Sequence, residues 1–406
     1  MAIDPEQAKR RKAARARQRQ QKAAKAKKYR LFAYIGGGIV LLGGLLALIL
    51  SLRGCSTGAS DNTTQTEPDL TVVHLAAAGD LNVTAKVGAA SDYTNTFLDV
   101  APLLAEANLT VLNFEGGLYG PPYGEDASAP PALPQALKKA GVDLVQLANS
   151  YTIFKGTAGL ADTISGMQGA GLVPLGAWKT PGEAKKAGGY TIMTVEGIRI
   201  AFVSFTKGMD GMALPAGSEG CVNLLYTDYA TAYQEVDTEG INKVLKAVAK
   251  EKPDLTVAML HWGSEFNDTV SSSQEEIVEL MQKGGVDAII GTHSHYVQKM
   301  TLDPDTGNFV AYSLGDFLGD AERPGTEYSV VLDLEITRNN HTGQTRVTNF
   351  SYTPIFTVTD KGESRVMRID TAMAAYENGF IDAVSQTAYE GMKYALERIE
   401  ARIKAE

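Results

Sequence analysis

The chain has 406 residues, 44% of them hydrophobic and 21% charged, with a formal net charge of −9. Those proportions are ordinary for a folded globular protein and exclude wholesale disorder or a polytopic membrane protein. The charge is unevenly divided: residues 1–30 carry twelve Lys and Arg against two acids, a net +10, so the remainder carries −19. An acidic body repels polyanions, so nucleic acid is not an expected partner, and any polyanionic ligand needs a metal ion or a local basic patch. The two cysteines, Cys55 and Cys221, exclude a disulfide framework and a zinc site built from Cys pairs. Cys221 reads as a buried small apolar residue.

Residues 1–30 form a basic tail. Residues 31–52, LFAYIGGGIVLLGGLLALILSL, contain no charge and would span about 33 Å as a helix, which predicts one transmembrane helix. The basic excess stands before this segment and only Arg53 directly after it, so the N-terminus is expected in the cytoplasm and the rest outside. This predicts a single-pass protein of the cell membrane with an extracytoplasmic main domain, its first partner being membrane lipid. Two alternatives stay open. A cleaved signal peptide usually has shorter basic and apolar regions, and Leu52-Arg53-Gly54-Cys55 resembles a lipoprotein processing box with an unusual Arg53 inside it. Either leaves the domain on the outer face. Residues 53–69 are small and polar, as a flexible linker should be.

A folded domain is expected over 70–370. Strand-like runs at 71–79, 110–115, 143–149, 198–205, 255–263 and 287–295 alternate with helical patterns at 132–140, 158–170, 237–251 and 273–284. Such alternation predicts an α/β fold around a central layered sheet. The runs 309–317 and 329–337 follow one another without a helix, which predicts a mixed or antiparallel part. Residues 371–406 read as a terminal helical region docked on the domain, with Ala372, Ala375, Phe380, Ala383, Tyr389, Met392 and Leu396 as its apolar positions.

In α/β sheets, function sits beyond the carboxyl ends of strands. Here those ends are rich in potential ligands: Gly79-Asp80, Asn113-Phe114-Glu115, Asn149, His261-Trp262-Gly263, His293-Ser294-His295 and Ser313-Leu314-Gly315-Asp316. Taken singly, Asp80 reads equally as a turn residue and Asn149 as a helix cap. Together, hard oxygens and imidazoles suit a divalent metal such as Mn, Fe or Zn, and bridging carboxylates suit two ions that clamp a phosphoryl group. The pattern points to a metallohydrolase.

The same residues carry a resemblance over about 70–320. Gly79-Asp80, Asn113-Phe114-Glu115-Gly116, His261-Trp262-Gly263-Ser264-Glu265, His293-Ser294-His295 and Tyr312 to Phe317 follow in order and resemble the motifs of the CapA family of poly-γ-glutamate capsule synthesis proteins. The resemblance implies a metallophosphatase-like four-layer α/β/β/α sandwich. It implies metal ligation by Asp80, Glu115, His261, His293 and His295, and substrate binding by Asn113, Asn149 and Glu265. It also implies membrane-embedded capsule synthase or export proteins and an anionic polymer as partners.

The departures matter as much. Where the family reads Leu-Ala-Asn-Asn-His, this chain has Leu147-Ala148-Asn149-Ser150-Tyr151. Ser is a poorer ligand than an amide oxygen, and Tyr, with an ordinary pKa near 10, is a poorer general acid than His. The family's Asn in the last motif is Asp316 here, which leaves Tyr151 and Asp316 as the candidate catalytic residues. Two readings follow: a non-catalytic component of capsule polymer synthesis or export, or a metal-dependent hydrolase acting on an anionic envelope polymer or phosphoester. A third is an α/β domain whose strand-end residues are only structural.

Overall fold

The structure is a computed structural model and describes residues 69–90, 92–360, 363–380 and 384–405. The expected basic tail, transmembrane helix and nearly all of the linker lie outside the described residues. No helix among the described residues is long and apolar enough to cross a membrane.

In chain order the first half comprises β1 (Leu70–Asn82), α1 (Ala85–Ala89), α2 (Ala101–Glu106), β2 (Leu109–Glu115), α3 (Ala132–Ala140), β3 (Leu144–Gln146), α4 (Gly156–Gly169), β4 (Val173–Leu175), α5 (Pro181–Ala187), β5 (Tyr190–Val195) and β6 (Ile198–Thr206). The second half comprises α6 (Thr238–Glu251), β7 (Leu255–His261), α7 (Ser272–Lys283), β8 (Ala288–Thr292), β9 (Met300–Leu302), β10 (Phe309–Ala311), β11 (Asp316–Leu318), β12 (Tyr328–Asn339), β13 (Thr345–Asp360), β14 (Glu363–Arg368), α8 (Ile369–Glu377) and α9 (Gln386–Ile403). Two mixed sheets result. One runs β14-β13-β12-β1-β2-β3-β4 with β11 added against β1, the other β5-β6-β7-β8-β10-β9.

Alternation along the strands sets the layers. Leu75, Val111 and Leu144 of the first sheet share one apolar cluster with Phe202, Val257 and Ile290 of the second. Their neighbours Ala76, Leu112 and Val145 face the opposite way, onto Leu133 and Leu137 of α3 and Leu160 and Ile164 of α4. In the second sheet Val203, Ala258 and Ile289 likewise meet Ile241 and Leu245 of α6 and Ile277 and Met281 of α7. The order is helix, sheet, sheet, helix.

The covering helices are locally specified. In α6, Ile241, Val244, Leu245 and Val248 form the buried stripe, and the Asp237 carboxylate accepts from Gly240 N–H at the start. In α7 a capping box joins Ser271 and Gln274.

Two expectations are corrected. The run 309–317 is not one strand: it splits into β10 in the second sheet and β11 in the first, with the intervening residues crossing between sheets. At the crossing, Asp80 N–H donates to Gly315 O at 2.9 Å, and a Cβ on Gly79 would lie 1.8 Å from that oxygen. Gly315 itself has φ +80°, the left-handed region that favours glycine. In the terminal helices, Ala372 and Met392 are buried, with Ala388, Ala395 and Ile399, while Phe380 and Leu396 are exposed. Ala375 and Tyr389 are partly buried, so the correction concerns Phe380 and Leu396, and Ala383 lies outside the described residues. Cys221 is buried and free.

Candidate metal centre

Strand register brings distant residues side by side. Asp80 pairs across β1 with Asn113 of β2 and, on its other side, with Asp316 of β11. In the second sheet, His261 at the end of β7 pairs with Thr292 at the end of β8. The chain then turns sharply through His293 and His295, at φ +89° and +59°. Left-handed backbone at two non-glycine residues is strained, and such strain clusters at functional sites.

Six buried side chains form two triplets, Glu115 with His261 and His293, and Asp80 with His295 and Asp316. In each triplet the potential ligand atoms lie within 4.8 Å of one another. His261 Nδ1 is 3.4 Å from a Glu115 oxygen, and the His261 and His293 rings lie 4.4 Å apart. His295 Nδ1 is 2.7 Å from Asp316 and 3.9 Å from Asp80, and His293 N–H donates to Asp80 at 3.0 Å.

Electrostatics follow from this crowding. Burial, then the charge of Asp316, pushes Asp80 up to about 6. Burial and the Asp80 charge push Glu115 well above the usual carboxylate range, and burial raises Asp316. Burial also holds His261 and His293 neutral by lowering both. For His295, burial works against charge, but Asp316, Glu115 and Asp80 outweigh it and push the imidazole up to about 10.

The donor set fits a divalent ion. Three carboxylates and three imidazoles converge in a buried site, and His293 Nδ1 is buried with no hydrogen-bond partner, an orphan that a cation would satisfy. Carboxylate and imidazole suit Mn, Fe or Zn.

Of the residues expected to meet substrate, only Glu265 lines the cleft above this cluster. Asn113 and Asn149 are fully buried beneath it. The Asn113 amide donates to Asp80 at 2.7 Å and to Glu115 at 2.9 Å. Asn149 donates in turn to Asn113 Oδ1 and to Phe114 O. Asn113 therefore holds two of the carboxylates, Asn149 holds Asn113, and neither lines the cleft. The cleft, of about 420 Å³, is lined by Ser150, Tyr151, Asp316 and His295 among others. Ser150 Oγ sits 3.2 Å from His261 Nε2. Tyr151 is half buried, and burial with the nearby Glu115 and Glu265 charges pushes its phenol up to about 12. His74, in the first half of β1 and away from the cluster, pairs with Asp333.

Sequence reasoning passed over Phe266 and Arg323, which wall the same cleft. Phe266 stacks on His295 at 4.9 Å, and the Arg323 guanidinium lies 3.7 Å from the Phe266 ring centre. Phe266 directly follows Glu265, a weak signal; nothing in the local pattern marks Arg323.

Comparison with known proteins places the site in context. The family model described as "Bacterial capsule synthesis protein PGA_cap" matches residues 74–321. The chain is 28% identical over 206 residues to "Capsule biosynthesis protein CapA" of Bacillus anthracis, covering 50% of this chain and 47% of that protein. It is 26% identical over 215 residues to "PGA biosynthesis protein CapA" of Bacillus subtilis, covering 53% and 52%. The match thus spans about half the length of these relatives. Among solved structures, the calcineurin-like phosphoesterase YfkN of Bacillus subtilis aligns with a TM-score of 0.44 and 15% identity, over 80% of this chain and 100% of that one. The family match takes in every residue of both triplets, from Asp80 to Asp316, and the chain belongs to the bacterial capsule synthesis protein PGA_cap family.

Proposed function

We propose that this chain serves the synthesis or export of an anionic capsule polymer of the poly-γ-glutamate type, and that its domain binds the polymer at a divalent metal centre without efficient turnover. The observation that carries the reading is the contrast between a full ligand set and the residues beside it. Six ligands converge, yet Ser150 and Tyr151 stand on the cleft wall where the resemblance implies Asn and His. Divalent metal held by the two triplets, Glu115, His261 and His293 and Asp80, His295 and Asp316, would supply Lewis acidity and positive charge in an acidic cleft. Tyr151, pushed up to about 12, keeps its proton at neutral pH and is a weak acid for a leaving group. Asn113 and Asn149 hold the carboxylates in place, and Ser150 meets His261.

A second reading, metal-dependent hydrolysis of an anionic envelope polymer or phosphoester, is favoured by one observation. The ligand cluster opens onto the cleft through Glu115, His295 and Asp316, so a phosphoester bound there would reach it directly. A binding experiment separates the two. Labelled poly-γ-glutamate added to the full chain in detergent with Mn should bind, be released by chelation, and keep its length on prolonged incubation. Shortened polymer would establish the hydrolase, and absence of binding would contradict the first reading.

The domain is further proposed to stand outside the cell, held by residues 31–52. Protease added to intact protoplasts should then remove a C-terminal epitope and spare an N-terminal one; the reverse pattern would overturn this placement.

A further inference from the structure

The domain is acidic, and so is the cleft. Its lining includes Glu115, Asp210, Glu265, Asp316, Asp320 and Glu322. A polymer that carries a carboxylate on each unit meets repulsion there, which one metal centre offsets only for the group it contacts. Among the described residues that line the cleft, Arg323 is the one Arg or Lys.

Arg323 is held in place without being neutralised. Its neighbours in sequence are engaged elsewhere: Glu322 pairs with Lys86 at 2.9 Å, and Asp320 accepts from the Thr84 hydroxyl. The guanidinium instead lies on the face of Phe266, whose ring also stacks on the His295 ring and meets Tyr296 edge-on. Imidazole, phenyl ring and guanidinium thus form one stack running from the ligand cluster to the rim. The loop that carries Arg323 is fixed as well. Its carbonyl accepts from the Thr326 hydroxyl at 2.8 Å, and Pro324 O accepts from Tyr296 OH at 2.9 Å. Tyr296 in turn packs under Arg402 of the C-terminal helix, 4.7 Å from its ring centre. Stacking leaves the N–H edge of a guanidinium available, and that planar fork matches a carboxylate.

We propose that Arg323 is a carboxylate-binding residue of the cleft, which takes a free carboxylate of the polymer while a neighbouring group of the same chain lies at the ligand cluster. This rests on the polymer-binding reading above and adds the residue that recognises the substrate's own charge. It also answers the repulsion with a cation placed beside the centre and not within it.

The test compares the wild-type full chain, Arg323→Gln and Arg323→Lys, each in detergent with Mn. The probes are a γ-linked glutamate oligomer and the same oligomer with its side carboxylates amidated. The wild type should bind the free-carboxylate oligomer, and Arg323→Gln should bind it about tenfold more weakly, as expected for a charge-assisted hydrogen bond. Arg323→Lys, which keeps the charge and loses the fork, should recover only part of that loss. The amidated oligomer should bind weakly and equally to all three. Metal content and melting temperature of the variants should match the wild type, because Arg323 is an exposed rim residue. If Arg323→Gln binds the free-carboxylate oligomer as tightly as the wild type does, this assignment is wrong and the polymer reading stands. If the wild type binds no oligomer in Mn, both fall together.

Discussion

Asn113 lies under the centre with its amide shared between Asp80 and Glu115, and the departing residues Ser150 and Tyr151 stand on the cleft wall. If those two residues limit catalysis, the defect is repairable. Ser150→Asn with Tyr151→His restores an amide oxygen beside His261 and an imidazole on the cleft wall. The double variant should gain on the order of 10²- to 10⁴-fold on an activated aryl phosphodiester in Mn, with the wild type near background. A fully active wild type would show that Tyr151 or Asp316 has taken over the missing role. At this scale the gathering of these side chains was legible because they close neighbouring strands, and the motifs gave their order. The burial of Asn113 and Asn149 was not legible, since the same Asn residues would suit a substrate contact or a ligand support. Arg323 and Phe266 were invisible because their role arises from stacking between segments far apart in sequence.

The two carboxylates of one triplet, Asp80 and Asp316, come from strands paired in parallel, and the backbone contact at the sheet crossing helps to fix that pairing. Gly79 has no room for a methyl group, which would fall 1.8 Å from Gly315 O. Gly79→Ala should therefore destabilise the fold by about 3 kcal/mol and lower metal content together with melting temperature. A stable variant with normal metal content would mean that the crossing can relax without moving the ligands. Helices over 132–140 and 237–251 were readable from apolar spacing. The split of 309–317 was not, because an apolar run carries no mark of where the chain leaves one sheet for another. β13 was missed for a different reason: Pro354 sits opposite Val330 inside it, and proline argues against a strand interior. In the last helices Met392 was read correctly, whereas Leu396 falls one position off the buried stripe of Ala388, Met392, Ala395 and Ile399.

Across the whole molecule, three carboxylates are buried together in an already acidic body, and their protonation couples metal binding to pH. In the metal-free fold, Asp80 at about 6 contributes stability below its unfolded pKa of about 4, and this is lost as pH rises through about 6. Glu115 and Asp316 act in the same direction, and so does His295, raised to about 10. Ion binding must displace those protons, whereas His261 and His293 are already neutral. The increase in melting temperature on adding Mn should therefore be small at pH 5.5 and grow toward pH 8. A Mn effect that shrinks with rising pH would contradict binding at these carboxylates.

The account depends most on the two triplets being a metal centre, and metal content of the purified full chain measures that directly. The wild type should retain a divalent ion at micromolar free metal, with at most one ion for each triplet. Asp80→Ala, His261→Ala and His295→Ala should each lower that content, although 215 residues separate the first position from the last. A folded wild-type chain that binds no divalent metal under those conditions would contradict the centre and the polymer binding built on it.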